Sequence, residues 1–517
     1  MIYRIGIDVG GTNTDAVILD QNNKIVAKTK TPTSEDIISG IYESLDKVLF
    51  QSNINVKDIG YVMLGTTHCT NAIVERKGLR KVAVIRIGKP ATMAIKPMVG
   101  WPQDLIDAIG KKYFIIKGGH EFDGQEINEL DYDEIDQVIN EIRGKFEAVA
   151  ISSVFSPVNT SHEDTLEKIL VDKLGDSIDV CVSHEIGSIG LIERENATIL
   201  NAALGGVIRK LATGFQEALK RRGIQATLYL AQNDGTLMSV DYAMRYPIMT
   251  IASGPTNSLR GAAYLSKIKN AIVLDVGGTT SDIGILVNGF PRLSAMGVEI
   301  GGVRTNFRMP DLISIGLGGG TVVRENDKTV VLGPDSVGYR VAKEALVFGG
   351  NVLTTTDVAV ACNLTKLGNL ERIENLNSSL IESALLKIKE LVEVNIDKIK
   401  TEAGDAPLIL VGGGSIIIPN SLKGCSEIIR PEHCEVANAI GVAIAQVGAQ
   451  IDRIFSLDNI SREEAIRQAE ELAIQECIKA GAKRETIEIV EKEDIPLAYL
   501  PGNATRIRIK AAGDIAY

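Results

Sequence analysis

Short runs of Val and Ile recur along the chain, separated by stretches in which apolar residues return every three or four positions. This alternation predicts α/β layers. Residues 3–9, 15–20 and 24–30 read as strands of a meander, followed by a helix from about 35 with Ser34 at its cap. Strand runs YVMLGT, KVAVIRI, AVAISSV and DVCVSH follow, with the Pro/Gly-rich GKPATMAIKPMVGWPQDL between two of them read as a surface excursion. A helical stretch from about 190 to 222 closes this first unit. A second meander opens at AIVLDVGG, residues 271–278, and Asn288-Gly289 marks a hairpin turn. A helix over 434–449 ends the second unit, and a helix over 461–480 with strand runs TIEIVEK and TRIRIKAAG completes the chain. The pattern divides the chain into residues 1–200, 201–450 and 451–517.

The two meanders share a sentence. GIDVGGTNTDAVILD (6–20) and VLDVGGTTSDIGILV (273–287) pair Asp8 with Asp275, Gly10-Gly11 with Gly277-Gly278, Thr12 with Thr279, Thr14 with Ser281 and Asp15 with Asp282. Each is an apolar strand, an aspartate, a glycine turn bearing hydroxyls, and a second apolar strand. Glycines admit a ligand to the backbone, turn N–H groups and hydroxyls donate to phosphate oxygens, and an aspartate can hold hydrated Mg²⁺ beside them. Two such turns facing each other would clamp a polyphosphate. The phosphate-binding candidates are Gly10, Gly11, Thr12, Asn13, Thr14, Gly277, Gly278, Thr279 and Thr280. A further run, LILVGGGSIIIP, places Gly412, Gly413, Gly414 and Ser415 after a strand, where an adenosine face can pass without side-chain obstruction. In the helix that follows, Ala437, Gly441 and Ala445 form a small-residue stripe, suited to a close helix crossing at a hinge or to ordinary core packing.

Length and composition narrow the class. The chain has 517 residues, so two or three domains are expected, and 45% hydrophobic content with only 4% aromatics suits buried sheets of Ile, Val, Leu and Ala. Net charge is −11 without long runs of one sign, which argues against nucleic acid or an anionic membrane as partner. The six cysteines stand singly and read as reduced, cytosolic thiols. A strand pattern from the first residues leaves no room for a leader peptide, and no apolar run reaches membrane-spanning length, so a cytoplasmic protein is expected. His120, His162, His184 and His433 are scattered and make no transition-metal motif, and His68-Cys69 has no ligand spacing.

The order of these features, two phosphate loops, a glycine-rich adenosine loop and a small-residue helix, resembles the actin-like ATPase superfamily. Within it the chain is similar to the hydantoinase/oxoprolinase family. LGTTHCTNAIVERKG, SHEIGSIGLIERENATILNAAL, QNDGTLMS, TIASGPTNSLRGA, ISIGLGGGT and DIPLAYLPGNATRIRIKAAGD, together with the two loops, carry that resemblance. It implies duplicated actin-like, ribonuclease-H-like α/β domains with a nucleotide cleft between them. It also implies ATP and Mg²⁺ as cofactors, and ATP-dependent opening of a cyclic amide such as a hydantoin or 5-oxoproline. The expected catalytic set is Asp8, Thr12, Asp275 and Thr279, the two aspartates also holding the metal, and Gly318, Gly319 and Gly320 join the nucleotide-binding residues. A small cyclic-amide substrate, a second hydantoinase-type subunit and an oligomeric assembly are the implied partners. Two departures stand out: Ile313 occupies a position where larger relatives carry His, and the chain resembles a compact branch without their extra C-terminal domain.

Candidate substrate residues follow the same motifs. Thr66, Thr67, Asn71, Glu75 and Arg76 lie where a strand meets a helix, whose N-terminal donors suit an anion or carbonyl, although both threonines equally suit a cap. Glu193 belongs to a polar cluster, Glu193 to Asn196, one or two members of which are expected in the cleft. Ser253 and Gly254 precede Pro255 at a helix start, which suits either a hydroxyl and free N–H groups placed at a ligand or an ordinary N-cap with Pro following; the family resemblance favours the former. A small-molecule kinase of the same fold and a non-catalytic ATP-driven activator of a partner protein remain as alternatives.

Overall fold

The computed structural model describes residues 2–11, 13–32, 37–175, 178–294, 297–307, 309–326, 329–458, 460–498 and 502–516. The expected Ser34 cap lies outside them, and the helix is described from Ile37 to Ser52.

The first meander folds as its apolar pattern demands. Ile5, Ile7 and Val9 of strand Tyr3–Val9 are buried, as are Ala16 to Leu19 of Asn13–Leu19, and the two pair antiparallel before Ile25–Pro32 joins the edge. Ile59–Thr66 then pairs parallel with Tyr3–Val9, and Thr227–Ala231 parallel with Ile59–Thr66. The second meander repeats the plan: Ala271–Val276 pairs antiparallel with Ser281–Val287 and parallel with Ala406–Val411, which pairs parallel with Cys425–Ile429. Asn288 and Gly289 both take positive φ in the turn before Phe290, as a tight hairpin requires. The fold is therefore the duplicated α/β architecture that the sequence predicts.

A third sheet of four parallel strands, in the order Tyr113–Lys117, Val82–Lys89, Ala148–Ser153, Asp179–Val182, is inserted after the first meander. Between it and the rest runs helix Leu191–Arg221. It is buried without interruption from Arg194 to Gly205, as a helix covered on all sides must be. The expected boundary at 200/201 falls inside this continuous helix. Residues 451–517, expected as a separate tail, complete the first sheet: Val447–Phe455, Thr505–Gly513 and Glu488–Pro496 extend it to nine strands.

The expected helix over 434–449 is shorter, Ala437–Ile444, and the chain re-enters a strand at Val447. A Cβ on Gly448 would stand 2.6 Å from Thr236 Cγ2, so glycine there lets the new strand lie against its neighbour. The Pro/Gly-rich excursion is anchored as well as exposed. Trp101 is buried and its Nε1 donates to Asn196 Oδ1 at 2.9 Å. Among the described residues no helix is long and apolar enough to cross a membrane.

Candidate functional site

The two hairpins are built alike at the atomic level. Gly10 N–H donates to Asn13 O at 3.0 Å and Gly277 N–H to Thr280 O at 2.9 Å, closing the same turn in each. The strand registers set Asp8 opposite Asp15 and Asp275 opposite Asp282. Both turns open onto one cleft of about 710 Å³, lined by Gly10, Gly11 and Asn13 from the first hairpin and by Gly277, Gly278, Thr279 and Thr280 from the second.

All four aspartates line this cleft. Asp8 accepts from Asn257 Nδ2 at 2.9 Å and from Asn438 Nδ2 at 3.1 Å, and Asn438 also donates to Asp15 Oδ2 at 2.8 Å. Lys30 Nζ lies 2.6 Å from Asp15 Oδ1. Burial pushes the Asp8 carboxyl up to about 7, helped by the charges of Asp15 and Asp275 and opposed by the two asparagines. Asp282 is pushed up to about 6 by burial, against a hydrogen bond from Ser314, with Asp275 raising it further. Asp275 is raised by burial, which outweighs a Ser258 hydrogen bond, and Asp15 is raised by burial despite Lys30. Four carboxylates facing one lysine, Asp8 and Asp15 buried and Asp275 and Asp282 half-buried, repel one another. A divalent cation beside phosphate oxygens would relieve this, so the donor set fits Mg²⁺.

The other glycines divide between lining and support. Gly412, Gly413 and Gly414 line the cleft, and Cβ atoms on Gly412 and Gly414 would stand 2.3 Å from Asp275 Oδ1 and Gly277 O. Only glycine admits that approach. Ser415 is buried beneath the run. Gly319 also lines the cleft, whereas Gly318 and Gly320 pack on the backbone of Gly278, with Gly320 N–H donating to Gly278 O at 2.7 Å. They brace the second loop instead of facing a ligand. Thr14 is buried within its strand and is not in the cleft lining, and Thr12 lies outside the described residues.

Of the substrate-side candidates, the cleft gathers Thr67 and Gly254. Thr66 Oγ1 accepts from His68 N–H at 3.0 Å just before the helix, whose N-cap is Thr67, and Ser253 Oγ donates to Thr66 O at 3.3 Å. Asn71 is half-buried on helix His68–Glu75 away from the lining, and Glu75 is exposed and paired with Lys77. Arg76 ties Asp104 and Gly301 O to the end of that helix. Glu193 is half-buried beside Gly190. Its neighbours serve the interior: Glu195 holds Arg86 and Ser152, Arg194 holds Ser183 Oγ and the carbonyls of Ser153 and Ser188, and Asn196 holds Trp101. The expectation that members of this cluster enter the cleft is not met, because the helix bearing them is enclosed by the inserted sheet.

Asn257, Asn438 and Lys30 were not recognised in the sequence. Lys30 belongs to the meander and its alternation points it at Asp15, whereas the asparagines meet Asp8 only through helix packing. His120, Glu126 and His162, scattered in sequence, bring ligand atoms within 4.8 Å of one another. His162 Nδ1 accepts Gly119 N–H at 3.0 Å, so its proton sits on Nε2, facing Glu126 Oε1 at 3.3 Å. That is the pattern of a hydrogen-bonded pair, since a metal-ligating nitrogen carries no proton. Cys69 is a packed thiol, pushed up to about 11 by burial.

The caprolactamase alpha subunit of Pseudomonas jessenii is 26% identical over 419 residues, which is 77% of this chain and 60% of that subunit. The acetone carboxylase beta subunit of Xanthobacter autotrophicus is 26% identical over 367 residues, 65% of this chain and 51% of that subunit. The matched region thus spans between half and two thirds of these curated relatives. The crystal structure of the ATP-dependent caprolactamase from Pseudomonas jessenii superposes with a TM-score of 0.76 at 20% identity, covering 98% of this chain and 87% of that one. Residues 4–174 match the hydantoinase/oxoprolinase N-terminal region and residues 194–397 match hydantoinase/oxoprolinase. With both regions in their family order and the paired aspartate–glycine hairpins meeting at one cleft, the chain belongs to the hydantoinase/oxoprolinase family.

Proposed function

We propose that this chain is an ATP-dependent enzyme that activates the carbonyl of a small cyclic amide by phosphoryl transfer, so that water opens the ring. The observation that carries the reading is the pair of like hairpins, each presenting an aspartate and a glycine turn to one cleft. The triphosphate would lie between the hairpins, with polar groups of Gly11 and Asn13 on one turn and of Gly278, Thr279 and Thr280 on the other facing its oxygens. Tyr339, Val341, Phe348, Leu367 and Ile416 give the cleft an apolar portion suited to a purine. Mg²⁺ held by Asp8 and Asp275 would supply neutralisation of phosphate charge.

A lactam carbonyl is a poor electrophile. Attack of its oxygen on the γ-phosphorus forms a C–O–P bond and releases ADP; water then adds to the carbon and the C–N bond breaks, leaving an acyl phosphate that a second water hydrolyses to carboxylate and phosphate. The balance is ATP, two waters and lactam in, and ADP, phosphate and ring-opened amino acid out. Asp282, poised to change charge near neutrality, is suited to take the proton from water. Thr67 and Gly254 border the same cleft and offer polar atoms to the ring. A second subunit completing the substrate pocket is in keeping with relatives that are named as subunits.

Carbonyl activation also serves carboxylation, a reading favoured by the similarity to an acetone carboxylase subunit. ATP turnover should be measured against hydantoins, lactams, 5-oxoproline and, with bicarbonate, small ketones. Phosphate, ring-opened product and carboxylated product are counted together, with and without the product of a neighbouring gene. One ring opened per ATP supports the proposal. Phosphorylated substrate accumulating as final product would make the chain a kinase, and turnover indifferent to every small molecule would make it a partner-directed ATPase.

A further inference from the structure

Helices Ser253–Ser266 and Ala437–Ile444 both reach the nucleotide cleft near their N-terminal ends, where Ser258 and Asn438 line it. Further along, Arg260 and Tyr264 of the first helix and Ile444 of the second line a separate cavity of about 620 Å³. Arg4 and Lys483 complete three cationic side chains on its wall, against a single carboxylate, Asp514, in a chain whose net charge is −11.

None of the three cations is in ion-pair contact with a carboxylate among the described residues, although the charge of Asp234 acts on Arg260. Arg4 stands opposite Tyr61 in the strand register, with its guanidinium 6.0 Å from the Tyr61 ring, and has no carboxylate or hydrogen-bond partner among the described residues. Arg260 stacks its guanidinium 4.0 Å from the Phe290 ring and donates through Nη1 to Gly289 O, yet its buried Nε–H meets no acceptor. Lys483 extends an ammonium without a carboxylate partner among the described residues. The C-terminal end of helix Ala437–Ile444 lies at this cavity and offers only a partial negative charge, roughly half a unit. Gln446, Asn23 and Thr486 add neutral polar groups to the same wall. Two guanidinium groups and an ammonium on one cavity wall, offset by Asp514 alone among the lining residues, form a receptor for oxygens that carry more than one negative charge.

We infer that this rear cavity binds a small, multiply charged oxyanion, at a site distinct from the nucleotide cleft. Phosphate and polycarboxylates share that chemistry. The site is built on the two helices that also hold Asn257 and Asn438 against Asp8, so it sits on the elements that join the cleft walls.

Calorimetric titration of the full chain at low ionic strength with inorganic phosphate, and separately with citrate, tests this. At least one anion should bind saturably, and the Arg4→Gln/Lys483→Gln double variant should bind it about tenfold more weakly or worse. Melting in anion-free buffer should be the same for parent and variant. If the double variant does not fold, Lys483→Gln alone, which alters an exposed side chain, should still weaken binding. Because phosphate also suits the cleft loops, soaked tungstate located by its anomalous scattering should lie between Arg4 and Arg260. Absence of saturable binding, equal affinity in parent and variants, or tungstate confined to the nucleotide cleft would overturn the assignment.

Discussion

Asp8 is held by one asparagine from each of two helices, and its carboxyl is pushed up to about 7 because burial and two neighbouring aspartates outweigh those donors. Replacing it by Asn keeps the shape and removes the charge. Asp8→Asn and Asp275→Asn should each lower Mg²⁺-dependent ATP turnover by about a hundredfold or more, with circular dichroism unchanged. Parent-like turnover in both would remove the two-loop clamp. The same residue sets a pH dependence. With the folded value above the usual carboxylate range, the folded state binds more protons than the unfolded one between about pH 4 and pH 7. Its contribution to stability is therefore full below that window and is lost as pH rises through about 7. Urea midpoints without nucleotide should fall from pH 5 to pH 8 in the parent and fall less in Asp8→Asn. An equal fall in both would show that Asp8 is not the titrating group.

Between the cleft walls, the two helices meet closely enough that backbone touches backbone. A Cβ on Gly261 would stand 1.8 Å from Ala437 O, and one on Gly441 would stand 1.9 Å from Asn257 O. Gly441 thus fixes the distance at which Asn257 and Asn438 both reach Asp8. Gly441→Leu should force the helices apart, cost about 1–3 kcal/mol in urea unfolding and weaken nucleotide binding along with it. Lost stability with unchanged nucleotide affinity would separate the crossing from the site. A second element-scale device is the ion pair of Arg86 and Glu195, both fully buried, which fastens the inserted sheet to helix Leu191–Arg221. Arg86→Ala leaves Glu195 buried without a partner and should cost about 3–5 kcal/mol. A loss below about 1 kcal/mol would mean that water or Ser152 satisfies Glu195 alone.

Across the whole molecule, the two hairpins belong to different sheets, so a ligand touching both rewards the closed arrangement of the walls. Small-angle scattering should show a smaller radius of gyration when a slowly hydrolysed ATP analogue and Mg²⁺ are added. An unchanged radius at saturation would mean walls that are rigidly fused or already closed. The inserted sheet and the three late strands explain why linear division at 200/201 and 450/451 does not describe the sheets. One helix crosses the first boundary, and the first sheet is completed only by residues from the end of the chain.

What the sequence determined by itself was local. Strand pairs, glycine turns and the duplicated aspartates are written in residues a few positions apart, where hairpin register follows from the turn and a two-residue period; Asp15 and Lys30 were readable by the same rule. Tertiary structure decided the rest. Asn257 and Asn438 reach Asp8 from far along the chain, and Gly318 and Gly320 pack on the backbone of Gly278 outside the cleft lining. Glu195 and Arg194, members of a charged cluster expected to enter the cleft, are instead buried, Glu195 against Arg86 and Arg194 on Ser183 Oγ and two carbonyls. In each case a side chain's role depends on which distant element packs against it, and that is set by burial of the combined apolar faces, a property no short stretch of sequence contains.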